Sequence, residues 1–126
     1  MYLQNETLKT FVIDIDGTIC NKDICREDKD YHSSIPKKDR INYINALYDQ
    51  GHTIKYFTAR GMGRYGDNSS LAYQEFYELT YNQLKEWGCK FHEIILGKPS
   101  GDIYVDDKGI NANVFFDLVC SQGLGI

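Results

Sequence analysis

The sequence has no apolar run long enough to cross a bilayer, and its start, Met1-Tyr2-Leu3-Gln4-Asn5-Glu6, lacks the basic-then-apolar form of a signal peptide. A cytoplasmic protein with no membrane partner is expected. Paired cysteine motifs are also missing. Cys20, Cys25, Cys89 and Cys120 form no C-x-x-C pair, and no histidine lies at zinc-finger spacing. They read as ordinary thiols rather than a disulfide framework. Positive charge is scarce: 14 Lys and Arg stand against 18 Asp and Glu, a net charge of -4. A duplex-DNA binder usually carries a basic surplus, so nucleic acid is not the expected partner. No repeat or low-complexity segment is visible.

What remains is ordinary for a soluble globular chain, with 42% hydrophobic and 25% charged residues. A length of 126 residues suits one domain, taken here as 1–126, with one core. Residues 8–15, mostly apolar and β-branched, predict a strand buried on both faces of a parallel sheet. Residues 17–33 are polar and irregular, a short flap region. Pro36 opens a helix that buries Ile41, Ile44, Leu47 and Tyr48 and ends at Gly51. Residues 53–58 predict a second strand, and a glycine-rich loop over 61–70 follows it. Ser69 or Ser70 caps a second helix that buries Phe76, Thr80, Leu84 and Trp87 and stops at Gly88. Third and fourth strands are predicted at 93–96 and 102–106, and the tail from Asn111 carries little signal. Strands alternating with helices predict an α/β fold: a single Rossmann-like domain with a central parallel sheet flanked by helices.

In such sheets ligands bind beyond the carboxyl ends of the strands. Strand one ends in Asp14-Ile15-Asp16-Gly17-Thr18, strand two in Thr58-Ala59-Arg60, strand three leads to Gly97-Lys98-Pro99, and strand four ends in Asp106-Asp107. If strand one is central, flanked by strands two and four, these groups meet in one crevice. Several carboxylates around one point repel unless a cation lies among them, and an all-oxygen set suits Mg²⁺. A lysine and a threonine hydroxyl beside them suit phosphate oxygens, and an Asp carboxylate is a competent nucleophile toward phosphorus.

Asp14-Ile15-Asp16-Gly17-Thr18 resembles the first motif, DxDGT, of the haloacid dehalogenase-like (HAD) superfamily. Thr58, Lys98 and Asp106-Asp107 are similar to its second, third and fourth motifs, in order, over residues 8–107. The stretches around Gly51-His52 to Arg60 and Val105-Asp106-Asp107 look like small HAD proteins linked to capsular polysaccharide synthesis. The resemblance implies a phosphatase in which Asp14 is the nucleophile and Asp16 the acid and base. It implies Mg²⁺ held by Asp14, the main-chain carbonyl of Asp16 and Asp106, with Asp107 nearby. Thr58 and Lys98 would neutralise the transferring group.

Arg64 and Tyr65, on the glycine-rich loop, are further candidates for substrate contact, and Arg60 either reaches substrate or pairs with Asp67 or another acid. His32, His52 and His92 read as surface or structural, and Tyr73, Tyr77 and Tyr81 as a core or interface stripe. A receiver domain is disfavoured, because it would place its adjacent acidic pair on the first strand. A non-catalytic phosphate-binding module gains no support from filled catalytic positions, and a polynucleotide 3′-phosphatase is disfavoured by the acidic charge. With only about 20 residues between Asp16 and Pro36 no cap domain fits, so the loop 61–70 or a neighbouring subunit, in a homo-oligomer, is left to cover the site. The expected substrate is a small phosphorylated metabolite such as a sugar phosphate.

Overall fold

The computed structural model describes residues 7–22 and 31–121. Residues 23–30 of the flap region, including Cys25, lie outside the described residues. Three parallel strands form an open sheet in the order β1 (Thr10–Asp14), β2 (Thr53–Thr58), β3 (Glu93–Leu96). Helix α1 (Lys38–Asp49) joins β1 to β2, α2 (Ser69–Glu86) joins β2 to β3, and α3 (Ala112–Ser121) closes the described chain. The fold is α/β and Rossmann-like. Among the described residues no helix is long and apolar enough to cross a membrane.

Register explains the core. Ile13 pairs with Tyr56 and Tyr56 with Ile94, so these buried side chains lie side by side on one sheet face. Ile54 and Leu96 extend that face. Both crossovers step the same way across the sheet, which puts α1 and α2 on one side. There α1 buries Ile41, Ile44 and Leu47, and α2 buries Ala72, Phe76, Thr80, Gln83 and Leu84. The other face is more open than the apolar run of strand one suggests. Val12 is 59% exposed, and Lys55 and Glu93 form an ion pair at 3.6 Å across neighbouring strands. Expected burial on both faces therefore fails for β1 among the described residues: the helices cover one side.

The predicted fourth strand does not form. Residues 102–106 are irregular and exposed, Ile103 by 82% and Val105 by 92%, so β2 rather than β1 is the central strand. A short apolar run gains strand geometry only by pairing, and no described neighbour pairs with it. Pro36 lies in an isolated bridge with Cys20, two residues ahead of α1. The cap of α2 is Asn68, whose side chain accepts the Leu71 N–H at 3.2 Å. Trp87 is the half-buried C-terminal cap of α2 rather than a core residue. Helix α3 packs onto α1 through Tyr43, whose ring centroid lies 6.0 Å from Phe115 and 6.4 Å from Phe116.

His52 and His92 take structural places: their Nδ1 atoms accept the main-chain N–H of Lys9 and Ile54, each at 3.0 Å. Tyr73, Tyr77 and Tyr81 stack in a row along α2 with centroids 4.7 and 6.3 Å apart, Tyr73 and Tyr81 being exposed.

Gly61 fixes how the chain leaves β2. Its φ is +81°, and a Cβ there would stand 2.7 Å from Phe76 Cδ2 and 3.0 Å from Ala72 Cβ. Gly61→Ala should therefore destabilise the fold by about 1–3 kcal/mol, a melting-temperature loss of roughly 4 °C or more. Gly63 has ordinary φ and nothing within 4 Å of its added Cβ, so Gly63→Ala should leave the melting curve nearly unchanged.

Candidate active site

The site is built where β1 and β2 end. Asp14 is the last residue of β1, and the chain turns at once, with the Thr18 and Ile19 N–H groups both donating to the Ile15 carbonyl. Gly17 takes φ +87° in this turn, a conformation open to glycine. The turn brings the Thr18 hydroxyl to Asp14 Oδ2 at 3.1 Å. Across the sheet, Gly97 and Lys98 donate their main-chain N–H groups to the Thr58 carbonyl at 3.2 and 3.1 Å. That anchor places the Lys98 ammonium 3.2 Å from Asp14 Oδ1. Lys98 also lies 4.4 Å above the Tyr104 ring. Asp14 thus has a hydroxyl on one oxygen and a cation on the other, while staying part-exposed.

Asp16 is held differently. The Arg60 Nε–H and Nη2–H groups donate to Asp16 Oδ2 and Oδ1, each at 3.0 Å. This is the bidentate fork that guanidinium and carboxylate planes favour. Arg60 is 1% exposed, and its Nη1 donates to the buried Thr80 hydroxyl at 3.2 Å. The Cys20 thiol adds a weak contact to Asp16 Oδ1 at 3.6 Å. Burial first, and then the neighbouring Asp16 charge, push that thiol up to about 12.

Around these groups opens a cleft of about 720 Å³. Asp14, Asp16 and Arg60 lie on its surface together with Lys22, Tyr31 and Asp102, which the sequence analysis did not single out. Lys22 and Asp102 have no ion-pair partner among the described residues. A lysine six residues beyond Asp16 was the available signal for Lys22, whereas Asp102 was hidden by its assignment to a strand.

Other expected site residues are placed less directly. Thr58 is buried, and its hydroxyl accepts the Arg60 N–H at 3.1 Å. Arg64 lines the cleft but pairs with Glu75 at 2.9 Å, and the Tyr65 hydroxyl bonds the same carboxylate. Both side chains are thereby tied to α2, so the loop is anchored rather than loose. Arg60 was open to substrate contact or to pairing with an acid, and its guanidinium is paired with Asp16 and bonded to Thr80.

The expected Mg²⁺ set, Asp14, the main-chain carbonyl of Asp16 and Asp106, draws on only two side chains. Among the described residues no three His, Cys, Asp or Glu side chains come close enough to share an ion. Asp14 and Asp16 each face a cation of the protein. Asp106 and Asp107 belong to the exposed stretch that forms no strand. Asp106 is engaged locally, its Oδ1 accepting the Lys108 N–H at 3.0 Å. That bond is the main cause holding its carboxyl below the usual range.

No protein-family model matches the chain, and no curated protein matches it. Two solved structures are similar. One is an MCSG target from Vibrio cholerae, with a TM-score of 0.76 and 25% identity over 86% of this chain and 87% of that one. The other is a D,D-heptose 1.7-bisphosphate phosphatase from B. bronchiseptica, complexed with magnesium and phosphate, with a TM-score of 0.50 and 16% identity over 92% of this chain and 64% of that one. The second likeness is one of fold.

Two buried thiols make the packing testable. Burial pushes Cys89 up to about 11, as it pushes Cys20 to about 12, from an ordinary 9.0. Both groups keep their protons longer in the folded chain than in the unfolded one. Their contribution to stability is complete below about pH 9 and is lost as pH rises toward those raised values. Denaturant midpoints should therefore fall from about pH 9 upward. At pH 8, mass mapping after iodoacetamide should find Cys20 and Cys89 unmodified until the chain is unfolded.

Proposed function

We propose that the chain is a phosphate monoester hydrolase of the capless HAD type, acting through an aspartyl-phosphate on Asp14. The observation that supports this most is the setting of Asp14. Its carboxylate ends a parallel strand, opens onto the cleft, and has the Thr18 hydroxyl and the Lys98 ammonium on its two oxygens. A second carboxylate, Asp16, stands two residues on. A nucleophile flanked by a donor, a mobile cation and a separate acid–base group is what covalent phosphoryl transfer asks of a protein.

In the first step an Asp14 oxygen attacks phosphorus while the bond to the leaving oxygen breaks. Asp16 gives that oxygen its proton. In the second step water attacks the aspartyl-phosphate, Asp16 takes the water's proton, and inorganic phosphate departs as Asp14 is regenerated. Lys98, a point charge on a flexible stem, follows the negative charge from Asp14 to the phosphoryl oxygens. Thr58 acts by shaping the main chain that carries Arg60 and Lys98.

The substrate we propose is a phosphorylated sugar or a related small metabolite. Lys22 offers the cleft a cation for phosphate oxygens, and Asp102 offers an acceptor for hydroxyl groups. Tyr104, exposed on the cleft, supplies a ring against which a sugar face can rest. The heptose bisphosphate phosphatase that shares the fold acts on such a compound. Its magnesium brings a divalent ion into the assay, although no step above is routed through one.

The test is phosphate release over sugar phosphates, nucleotides and 3′-phosphorylated oligonucleotides, with Mg²⁺ and with excess chelator. Sugar phosphates should give the highest kcat/KM, and a preference for the oligonucleotides would move the proposal to a polynucleotide 3′-phosphatase. Loss of activity in chelator would show that a divalent ion takes part in the reaction. Asp14→Asn should cut kcat by roughly 100-fold or more with an unchanged melting temperature. Retention of a tenth of the wild-type rate, measured against the usual worth of a covalent nucleophile, would remove Asp14 from that role.

A further inference from the structure

Asp14 and Asp16 lie side by side, yet their cations differ in kind. Lys98 makes one contact at 3.2 Å and keeps 20% of its side chain exposed. Arg60 makes two contacts at 3.0 Å with none of its side chain exposed. Lys98 can turn toward a substrate, whereas Arg60 has no path to one without breaking the pair. Its remaining surroundings hold it just as firmly. Nη1 is anchored on Thr80 of α2, and the guanidinium carbon lies 4.6 Å from the centroid of the Tyr31 ring. Tyr31 is fixed in turn by an edge contact with Phe76 at 5.2 Å and by Gln83 Nε2 donating to its carbonyl at 2.6 Å.

From these contacts we infer that Arg60 is a positioning residue for the hydrolysis proposed above: it acts through Asp16 and does not touch substrate. A bidentate fork makes the two groups coplanar, so the carboxylate of Asp16 cannot rotate while the pair holds. A carboxylate offers about four acceptor sites. On Oδ1, Arg60 Nη2 takes one site, and the Cys20 thiol, 3.6 Å from both this oxygen and the Ile15 carbonyl, crowds the other; on Oδ2, Arg60 Nε takes one. The site with no donor beside it is on Oδ2, and it is the one assigned to the proton. In the first step the proton passes from Oδ2 to the leaving oxygen as that oxygen parts from phosphorus. In the second, the attacking water returns a proton to Oδ2 as the bond between Asp14 and phosphorus breaks. Rotation of Asp16 would put the proton out of line in both.

This rests on the hydrolase proposed above, and the experiment separates the two. Arg60→Lys keeps the charge but loses the fork. Steady-state kinetics would compare a sugar phosphate, with its poor leaving group, and p-nitrophenyl phosphate, with a good one. The expected result for Arg60→Lys is a kcat loss of about 100-fold on the sugar phosphate, less than about 10-fold on p-nitrophenyl phosphate, and a KM change within about twofold, following the usual worth of general acid catalysis. On an Asp16→Asn background the same change should add less than about twofold, because the group it positions is already gone. Thr80→Val, which removes only the far anchor, should show the same leaving-group pattern at about 3- to 10-fold on the sugar phosphate. It serves where Arg60→Lys fails to fold. A raised KM at constant kcat would make Arg60 a substrate contact. Equal losses on both phosphates, adding in full to Asp16→Asn, would make it merely structural. Either result overturns the inference. A wild-type chain that releases no phosphate overturns the hydrolase instead. Arg60 and Asp16 would then couple only in a double-mutant cycle of unfolding.

Discussion

A guanidinium with no water around it must be held by an opposite charge, and Asp16 is the charge that holds Arg60. Much of the site's geometry follows from this pair. Arg60 leaves β2 through a turn in which its own N–H bonds Thr58, and the next residue, Gly61, lies flat against α2. The loop that follows is pinned to the same helix through Glu75. The ends of β1 and β2 and one side of α2 are therefore tied at a single point. Removing Asp16 would leave the Arg60 guanidinium buried and unpaired, which is much worse than losing an exposed ion pair. The cleft floor is thus a stability element as well as a chemical one.

The second pair on that floor has the opposite character. Lys98 and Asp14 are 84 residues apart and are brought together by the parallel register of β1, β2 and β3 and by the Thr58 carbonyl. One pair has a fully buried cation and a two-point bond, the other a part-exposed cation and a single contact. A reaction that moves negative charge from a carboxylate to a phosphoryl group and back needs one partner that follows the charge and one that stays still.

Residues 53–58 and 93–96 were legible as strands because they are compact apolar runs bounded by glycines and polar residues, and the structure keeps those limits. Residues 102–106 have the same look but fail, since a strand's identity depends on a partner that its own sequence does not contain. Helix α3 was missed because the tail from Asn111 carries little signal, although Asn111 Oδ1 accepts the Asn113 and Val114 N–H groups and so works as its cap. In the site, Asp14 and Lys98 were legible from their places after apolar strands. The bidentate bond of Arg60 was not. An arginine after a strand looks the same in sequence whether it faces solvent or a carboxylate, and the Thr80 that completes its socket sits twenty residues on in a helix stripe. Asp106 and Asp107 show the converse. Their motif is plain, but the strand that would carry them is not formed.

The open side of β1 has one more effect. Its ladder is matched by β2 on one edge, while among the described residues no strand covers the other. Val12 projects from the same element into solvent. An uncovered ladder with an apolar side chain beside it is a template for another chain's backbone. In concentrated solution, self-association would begin at this margin rather than at the cleft, and it would join molecules strand to strand while leaving Asp14 and Lys98 unobstructed.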